Sequence, residues 1–220
     1  MRMFHALVLT MAAGSACTGS GAPEQARKGD ESLDVGTQSV PLLRSDAPID
    51  FVAQQFRISD ARAMSNGITQ LVTMRDRPDV VALVDAAWRM DRRSHPDFNW
   101  TSLETLTVRL AIAGVLGQWA TDKTAFRSFA TGQINSSDPM TRLDAVIALA
   151  AIGDPADTAL FERLARGADE SVATGALGAL QIMGTPESLH VLEAAASDPA
   201  LPAARQQLAK SMLALPRPPK

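Results

Sequence analysis

Residues 138–164 read DPMTRLDAVIALAAIGDPADTALFERL, and residues 169–195 read DESVATGALGALQIMGTPESLHVLEAA. The second stretch repeats the pattern of the first after 31 residues, so that Asp138 corresponds to Asp169 and Gly153 to Gly184. Self-similarity with a period of roughly 20–50 residues is typical of proteins built from stacked structural units. These two stretches therefore predict a repeat array.

Each unit of the array is expected to be a pair of antiparallel α-helices. One apolar stripe has the spacing i, i+3, i+4, i+7, which is one face of a helix, and consists of Ala145, Ala148, Leu149 and Ile152. Gly153 follows where a left-handed helix cap is favoured, and Asp154-Pro155 can begin the next helix. A single pair cannot bury both of its apolar faces, so neighbouring pairs must stack.

Weaker copies of the pattern extend the array in both directions. An earlier copy contains Gly117, at 36 residues before Gly153, and another pair is expected around the turn Asp76-Arg77-Pro78. A last helix, at about 203–215, repeats the stripe of the first helices and is expected to cap the array. The sequence thus predicts about four repeats and a C-terminal capping helix.

The pattern resembles HEAT-like repeats, particularly the short form found in bilin-lyase-like proteins. The third copy carries the Asp-Pro opening at Asp138, then Arg142, an Ala-x-x-Ala-Leu core and the Gly-Asp-Pro turn. The fourth copy departs from it, with Ala173 in place of the arginine and Thr185 in place of Asp154. The resemblance implies an all-α fold, a right-handed α-solenoid whose concave face binds proteins, and no lyase activity by itself.

Composition is consistent with a helical domain. The chain has 220 residues, of which 46% are hydrophobic and 5% aromatic, and it contains no tyrosine. This content of apolar residues excludes a fully disordered chain, and the alanine and leucine enrichment disfavours a large β-sandwich or barrel. The formal net charge of -3 gives no reason to expect nucleic-acid binding.

The N-terminus has the layout of an export signal. Arg2 precedes a mostly apolar stretch at 4–13, small residues follow, and the chain's single cysteine is Cys17. Residues 1–16 resemble a bacterial lipoprotein signal peptide, which implies that Cys17 is lipidated and anchors the protein in the membrane. Gly14 stands where such signals usually carry leucine, so ordinary cleavage after Ala16, with a free thiol at Cys17, is the alternative.

The signal also predicts a location and a domain plan. Thr18 after the cysteine favours the outer membrane, on its periplasmic side in a Gram-negative cell; a soluble periplasmic or secreted protein is the alternative. Residues 17–47 are poor in patterned apolar residues and are expected to form a flexible tether. The repeat domain is placed at 48–215, and residues 216–220 are expected to form a disordered tail.

No catalytic motif, metal-ligand cluster or cofactor motif occurs in the sequence. His95 and His190 have no motif partner and are interpreted as exposed, solvated histidines. The alternative is an enzyme, or a lyase-like ligand binder that assists one. Its pocket would lie near Trp88, His95 and Trp100, where the repeat is interrupted.

Charged residues align on the second helices of successive pairs. They predict a partner-binding strip, in which Arg163 and His190 lie beside a column of Asp85, Arg127, Glu162 and Glu193. The alternative is that the column only forms ion pairs between neighbours, Asp85 with Arg127 and Arg127 with Glu162. The resulting hypothesis is a non-catalytic, envelope-anchored scaffold that binds a protein partner whose identity the sequence does not give.

Overall fold

A computed structural model describes residues 43–215 of the chain. The expected signal peptide, Cys17, the tether up to residue 42 and the tail at 216–220 lie outside these residues. Within them all regular secondary structure is helical and no strand occurs, which confirms the all-α fold class. None of these helices has both the length and the apolar character that a bilayer span requires.

Eleven α-helices and two short 3-10 helices make up the described part of the chain. The α-helices are α1 Ile49–Gln55, α2 Ala61–Gln70, α3 Pro78–Arg89, α4 Trp100–Leu103, α5 Leu106–Trp119, α6 Thr124–Gln133, α7 Pro139–Ile152, α8 Thr158–Ala165, α9 Glu170–Met183, α10 Pro186–Ser197 and α11 Ala203–Ala214. The 3-10 helices are Leu71–Met74, which continues α2, and Pro155–Asp157, which precedes α8.

The caps expected at the ends of the clearest repeat helices are present. The Asp138 carboxylate accepts a hydrogen bond from the backbone N–H of Thr141 at the start of α7. Gly153 ends α7 with φ 62°, and Gly184 ends α9 with φ 57°, a left-handed conformation that glycine adopts without steric cost. The last helix, expected at about 203–215, spans Ala203–Ala214.

The first helices of successive pairs lie side by side in chain order. α2 packs on α5, α5 on α7, α7 on α9 and α9 on α11. The second helices pack mainly on the first helix that follows: α3 on α5, α6 on α7, α8 on α9 and α10 on α11. Each pair therefore packs against the next one along the chain.

Glycines permit close approach between the first helices. A Cβ on Gly117 would lie 2.6 Å from Cγ1 of Ile152, and one on Gly175 would lie 3.0 Å from Cδ1 of Leu143. Both distances are at or below the limit of real contacts, so a larger residue requires the neighbour to move. The tight spacing of α5, α7 and α9 thus depends on small side chains.

Three features at the N-terminal side differ from the sequence pattern. The backbone N–H of Leu43 donates to Oε1 of Gln70, and Arg77 donates to the carbonyl of Ala47, so residues 43–47 already contact the packed body. α1 and α4 have no counterpart in the repeat pattern. α4 is inserted after the loop at 92–97. Phe98, which follows this loop, stacks on Phe56 just after α1 at 4.9 Å.

Candidate functional site

The six residues of the expected partner-binding strip all lie on second helices. Asp85 is on α3, Arg127 on α6, Glu162 and Arg163 on α8, and His190 and Glu193 on α10. His190 is highly exposed, with 84% of its side chain accessible. Whether this strip binds a partner remains a prediction.

The ion pairs that these residues form are not the pairs between neighbouring second helices that the sequence analysis offered as the alternative. Asp85 pairs with Arg89 at 3.0 Å and Glu162 with Arg166 at 3.7 Å, each four residues along its own helix. His190 and Glu193 approach to 3.9 Å, also on one helix. The expected pairing of Asp85 with Arg127, and of Arg127 with Glu162, is therefore wrong. Asp85 and Glu162 each have a partner one helical turn away, and Arg127 pairs with Asp154 and Asp157.

Arg127 binds the turn that precedes α8. Its Nη2 lies 2.6 Å from Oδ1 of Asp157, whose side chain is 0% exposed, and its Nε lies 3.6 Å from Oδ2 of Asp154. The hydrogen bond to Asp157 raises the pKa of the Arg127 guanidinium above its ordinary value. Of the six strip residues, Arg127 is thus the one that neutralises a buried carboxylate.

An open cleft of about 550 Å³ lies beside Arg127, between α6 and the turn from α7 to α8. Hydroxyl and charged side chains line it in equal number, and the lining residues are Thr121, Asp122, Lys123, Thr124, Arg127, Ser128, Thr131, Asp154 and Pro155. Thr124, Ser128 and Thr131 lie on one face of α6, because they are four and three residues apart. The cleft can therefore offer hydrogen bonds to a polar ligand or to an extended peptide.

Both cations of the cleft are already used within the fold. Nζ of Lys123 donates to the carbonyl of Ile152 at 2.5 Å, and Arg127 is held by Asp157. Asp122 accepts from the backbone N–H of Thr124, a hydrogen bond that lowers the pKa of the Asp122 carboxyl. With carboxylates and cations present together, the lining favours neither an anionic nor a cationic ligand.

The segment expected to hold a pocket in the enzyme alternative is filled by side chains. His95 stacks on Phe98 at 4.7 Å, and Nε1 of Trp100 donates to the carbonyl of His95 at 3.2 Å. Trp88 packs against Phe126 at 5.2 Å. His95 is consequently half-buried and not the fully solvated residue that was expected, because a flat ring can stack where the loop folds back.

The tryptophans are used in packing. Trp119 is buried and its Nε1 donates to the carbonyl of Val72 at 3.0 Å. The guanidinium of Arg109 lies over the Trp88 ring, with its Cζ 4.4 Å from the ring centroid. Residues 43–215 contain no group of three or more histidine, cysteine or carboxylate side chains arranged to hold a metal ion.

Arginines at the start of the first helices repeatedly bind backbone carbonyls of the preceding pair. The sequence pattern indicated this position only through Arg142. Arg142 donates to the carbonyl of Ser136 at 2.8 Å, just after α6, and Arg109 donates to that of Trp88 at 2.8 Å, near the end of α3. Both residues lie in the first turn of a first helix and bind the end of the preceding second helix. In the next repeat this position is Ala173, and Arg205 of α11 binds the carbonyl of Gly167 instead, at 2.6 Å.

Comparison with known proteins identifies no relative of the chain: no family model, no curated protein and no solved structure matches it.

Proposed function

We propose that this chain is a non-catalytic, envelope-anchored lipoprotein whose HEAT-like repeats form a right-handed α-solenoid that binds another protein. The observation that carries the proposal is the serial packing of first helices, from α2 through α5, α7 and α9 to α11. Serial packing leaves one face of every second helix free of the core, and such extended surfaces are what repeat proteins use for binding.

The free faces of the second helices supply groups suited to a polar protein interface. α10 exposes Glu187, His190 and Glu193, and α8 exposes Arg163. Charged groups of this kind steer association and select partners more than they add affinity. The cleft beside α6 adds hydroxyl donors and acceptors next to this surface.

Partner recovery from an envelope extract tests the binding surface. We expect Arg163→Glu combined with Glu193→Lys to lose the partner, because this double variant reverses two exposed charges of the strip. Gln207→Lys combined with Lys210→Glu on the exposed face of α11 is the matched control and should retain the partner. Equal recovery with both double variants contradicts the strip.

Mass spectrometry of the mature N-terminus tests the membrane anchor. A lipidated chain should begin at Cys17 with a mass increase corresponding to acyl chains, and Cys17→Ser should abolish it. An unmodified N-terminus at any residue contradicts the anchor and supports the soluble periplasmic or secreted alternative.

The second candidate is a ligand binder or enzyme accessory, and the cleft beside α6 is the observation that favours it. Its hydroxyl lining and volume suit a small polar molecule. Ser128→Trp would fill this cleft without removing a buried group, since Ser128 is exposed. If partner recovery survives that variant while the strip variant loses it, the surface and not the cleft binds the partner.

A further inference from the structure

The hydrophobic core is divided into two clusters that meet at α5. One cluster extends from Val52 to Trp119 and includes Ile112 of α5. The other cluster extends from Ala130 to Met212 and includes Leu110, on another face of α5. We call α1–α5 the N-terminal half and α6–α11 the C-terminal half of the described chain.

One salt bridge connects the two halves. Nη1 of Arg62, on α2, lies 2.7 Å from Oδ1 of Asp144 on α7, and Nη2 lies 3.1 Å from Oδ2. Thr107 of α5 donates its hydroxyl to the same Oδ2 at 2.8 Å. Arg62 and Asp144 are 82 positions apart in the sequence. Every other salt bridge between residues 43 and 215 joins two residues of the same half.

Asp144 is an exception within its repeat. Its side chain is 7% exposed, and the corresponding residue 31 positions later is Gly175, which packs against Leu143 and Val146. Desolvating a carboxylate is costly, and a buried ion pair adds little stability over apolar packing of the same volume. A charge where the repeat needs only a small residue therefore points to a role other than stability.

The remaining contacts between the halves are mostly apolar, with Gly117 of α5 packed closely against Ile152 of α7, and they include the Arg109 guanidinium over the Phe129 ring at 5.9 Å. Gly114 of α5 faces Ala148 and Ala151 of α7, while Trp88 touches Phe126 and Phe129 of α6. Small side chains on packed helices allow the sliding by which domains shear. The polar connection at Asp144 opposes such sliding because its two-point geometry fixes the distance from α2 to α7.

We propose that the Arg62–Asp144 salt bridge is a latch that locks the two halves in one arrangement, and that its release lets them move about the α5–α7 contact. The Arg62 side chain is 43% exposed, so salt or a carboxylate of a bound partner can compete with Asp144 for it. The inference goes beyond partner binding, since it concerns the coupling of the two halves with or without a partner.

Urea unfolding of the full chain tests the coupling, because Trp88, Trp100 and Trp119 all lie in the N-terminal half. Tryptophan fluorescence therefore follows that half, whereas far-UV circular dichroism follows all helices. For the wild type we expect the two methods to give the same urea midpoint. For Arg62→Gln we expect the midpoint measured by fluorescence to be lower than the one measured by circular dichroism. Asp144→Asn breaks the same bridge without leaving a buried charge and should behave alike.

Arg166→Gln is the matched control, since Arg166 is 41% exposed and pairs with Asp198 inside the C-terminal half. It should keep coincident midpoints. The wild type in about 1 M NaCl, where the Debye length is about 3 Å, provides a measurement that needs no variant and should show separated midpoints. Coincidence in both latch variants and at high salt overturns the latch.

Distance measurements test the movement itself. Nitroxides on Ala82→Cys in α3 and Ala194→Cys in α10, both exposed positions, report the separation of the halves in a Cys17→Ser background. Arg62→Gln should broaden the distance distribution while the circular dichroism spectrum stays native. The distribution should stay narrow with Arg166→Gln, and a narrow one with Arg62→Gln as well overturns the proposed movement.

Discussion

Arg127 shows how a charge that looks available in the sequence is used inside the fold. Its guanidinium is the partner of Asp157, a carboxylate with no solvent exposure. Arg127 bonds Oδ1 of Asp157, while the buried Oδ2 has no hydrogen-bond partner among the described residues. Replacing Arg127 would therefore disturb folding before it could report on binding.

Arg127→Ala should lower the free energy of unfolding by about 3 kcal/mol, because it leaves a buried carboxylate unpaired. Arg163→Ala, one helix further on and exposed, should change it by less than about 0.5 kcal/mol. Chemical denaturation of the two variants measures the difference. Equal stabilities would mean that Asp157 finds another partner.

Asp169 makes stability depend on pH. The Arg142 side chain donates to its carboxylate at 3.1 Å from Nε and lowers the pKa of Asp169 to about 2. Since the folded pKa lies below the unfolded one, the stabilisation is complete above about pH 4 and is lost as the pH falls towards 2.

Asp169→Asn should thus destabilise the protein by about 1 kcal/mol at pH 7, after allowance for solvent screening of a partly exposed pair. Asparagine can still cap α9, so the loss isolates the charge. Thermal melts of wild type and variant should converge near pH 2. A constant difference across pH would assign the loss to the cap and not to the ion pair.

At the scale of the helix, the distance between two packed helices depends on whether a glycine faces the neighbouring helix. Gly117 on α5 points at Ile152 of α7, whereas a Cβ on Gly132 of α6 would meet nothing within 4 Å. The same substitution should therefore have opposite effects at the two positions, although both glycines lie in helices.

Gly117→Ala should destabilise the protein by about 1–3 kcal/mol, because Ile152 is buried and must shift. Gly132→Ala should stabilise it by up to about 1 kcal/mol through helix propensity and reduced freedom of the unfolded chain. Urea midpoints compare the two variants. Stabilisation by both would show that α5 and α7 can separate at little cost.

Over the whole molecule, α11 closes the array. It contributes Ala209 and Met212 to the core and places Arg205 against the carbonyl of Gly167, while Ala203, Gln207 and Lys210 remain exposed. A polar outer face on the terminal helix is what a repeat array needs to end without aggregation.

Ending the chain at residue 202 should lower the melting temperature and promote aggregation, because α9 and α10 lose their cover. Ending it at residue 215 removes only the expected tail, outside the described residues, and should leave the melting temperature unchanged. Light scattering during a thermal melt distinguishes the two. An unchanged melt for the shorter chain would show that α11 is not needed as a cap.

Local sequence determined the helices, because their signals are local: apolar stripes fixed α7 and α9, and Asp138, Gly153 and Gly184 fixed their ends. The all-α class and the existence of a final helix followed from the same patterns. The candidate strip also followed, in so far as its residues do lie on second helices.

Only the tertiary structure decided which charges meet. The Arg62–Asp144 bridge spans 82 residues, Arg127 turns to Asp157, and Arg205 replaces the arginine missing at Ala173. Long side chains choose partners by distance in the folded molecule, which depends on how closely Gly117 and Gly175 let the helices approach. The periodicity of the sequence does not contain that distance. It therefore predicts on which face of a helix a residue lies, but not which residue it contacts.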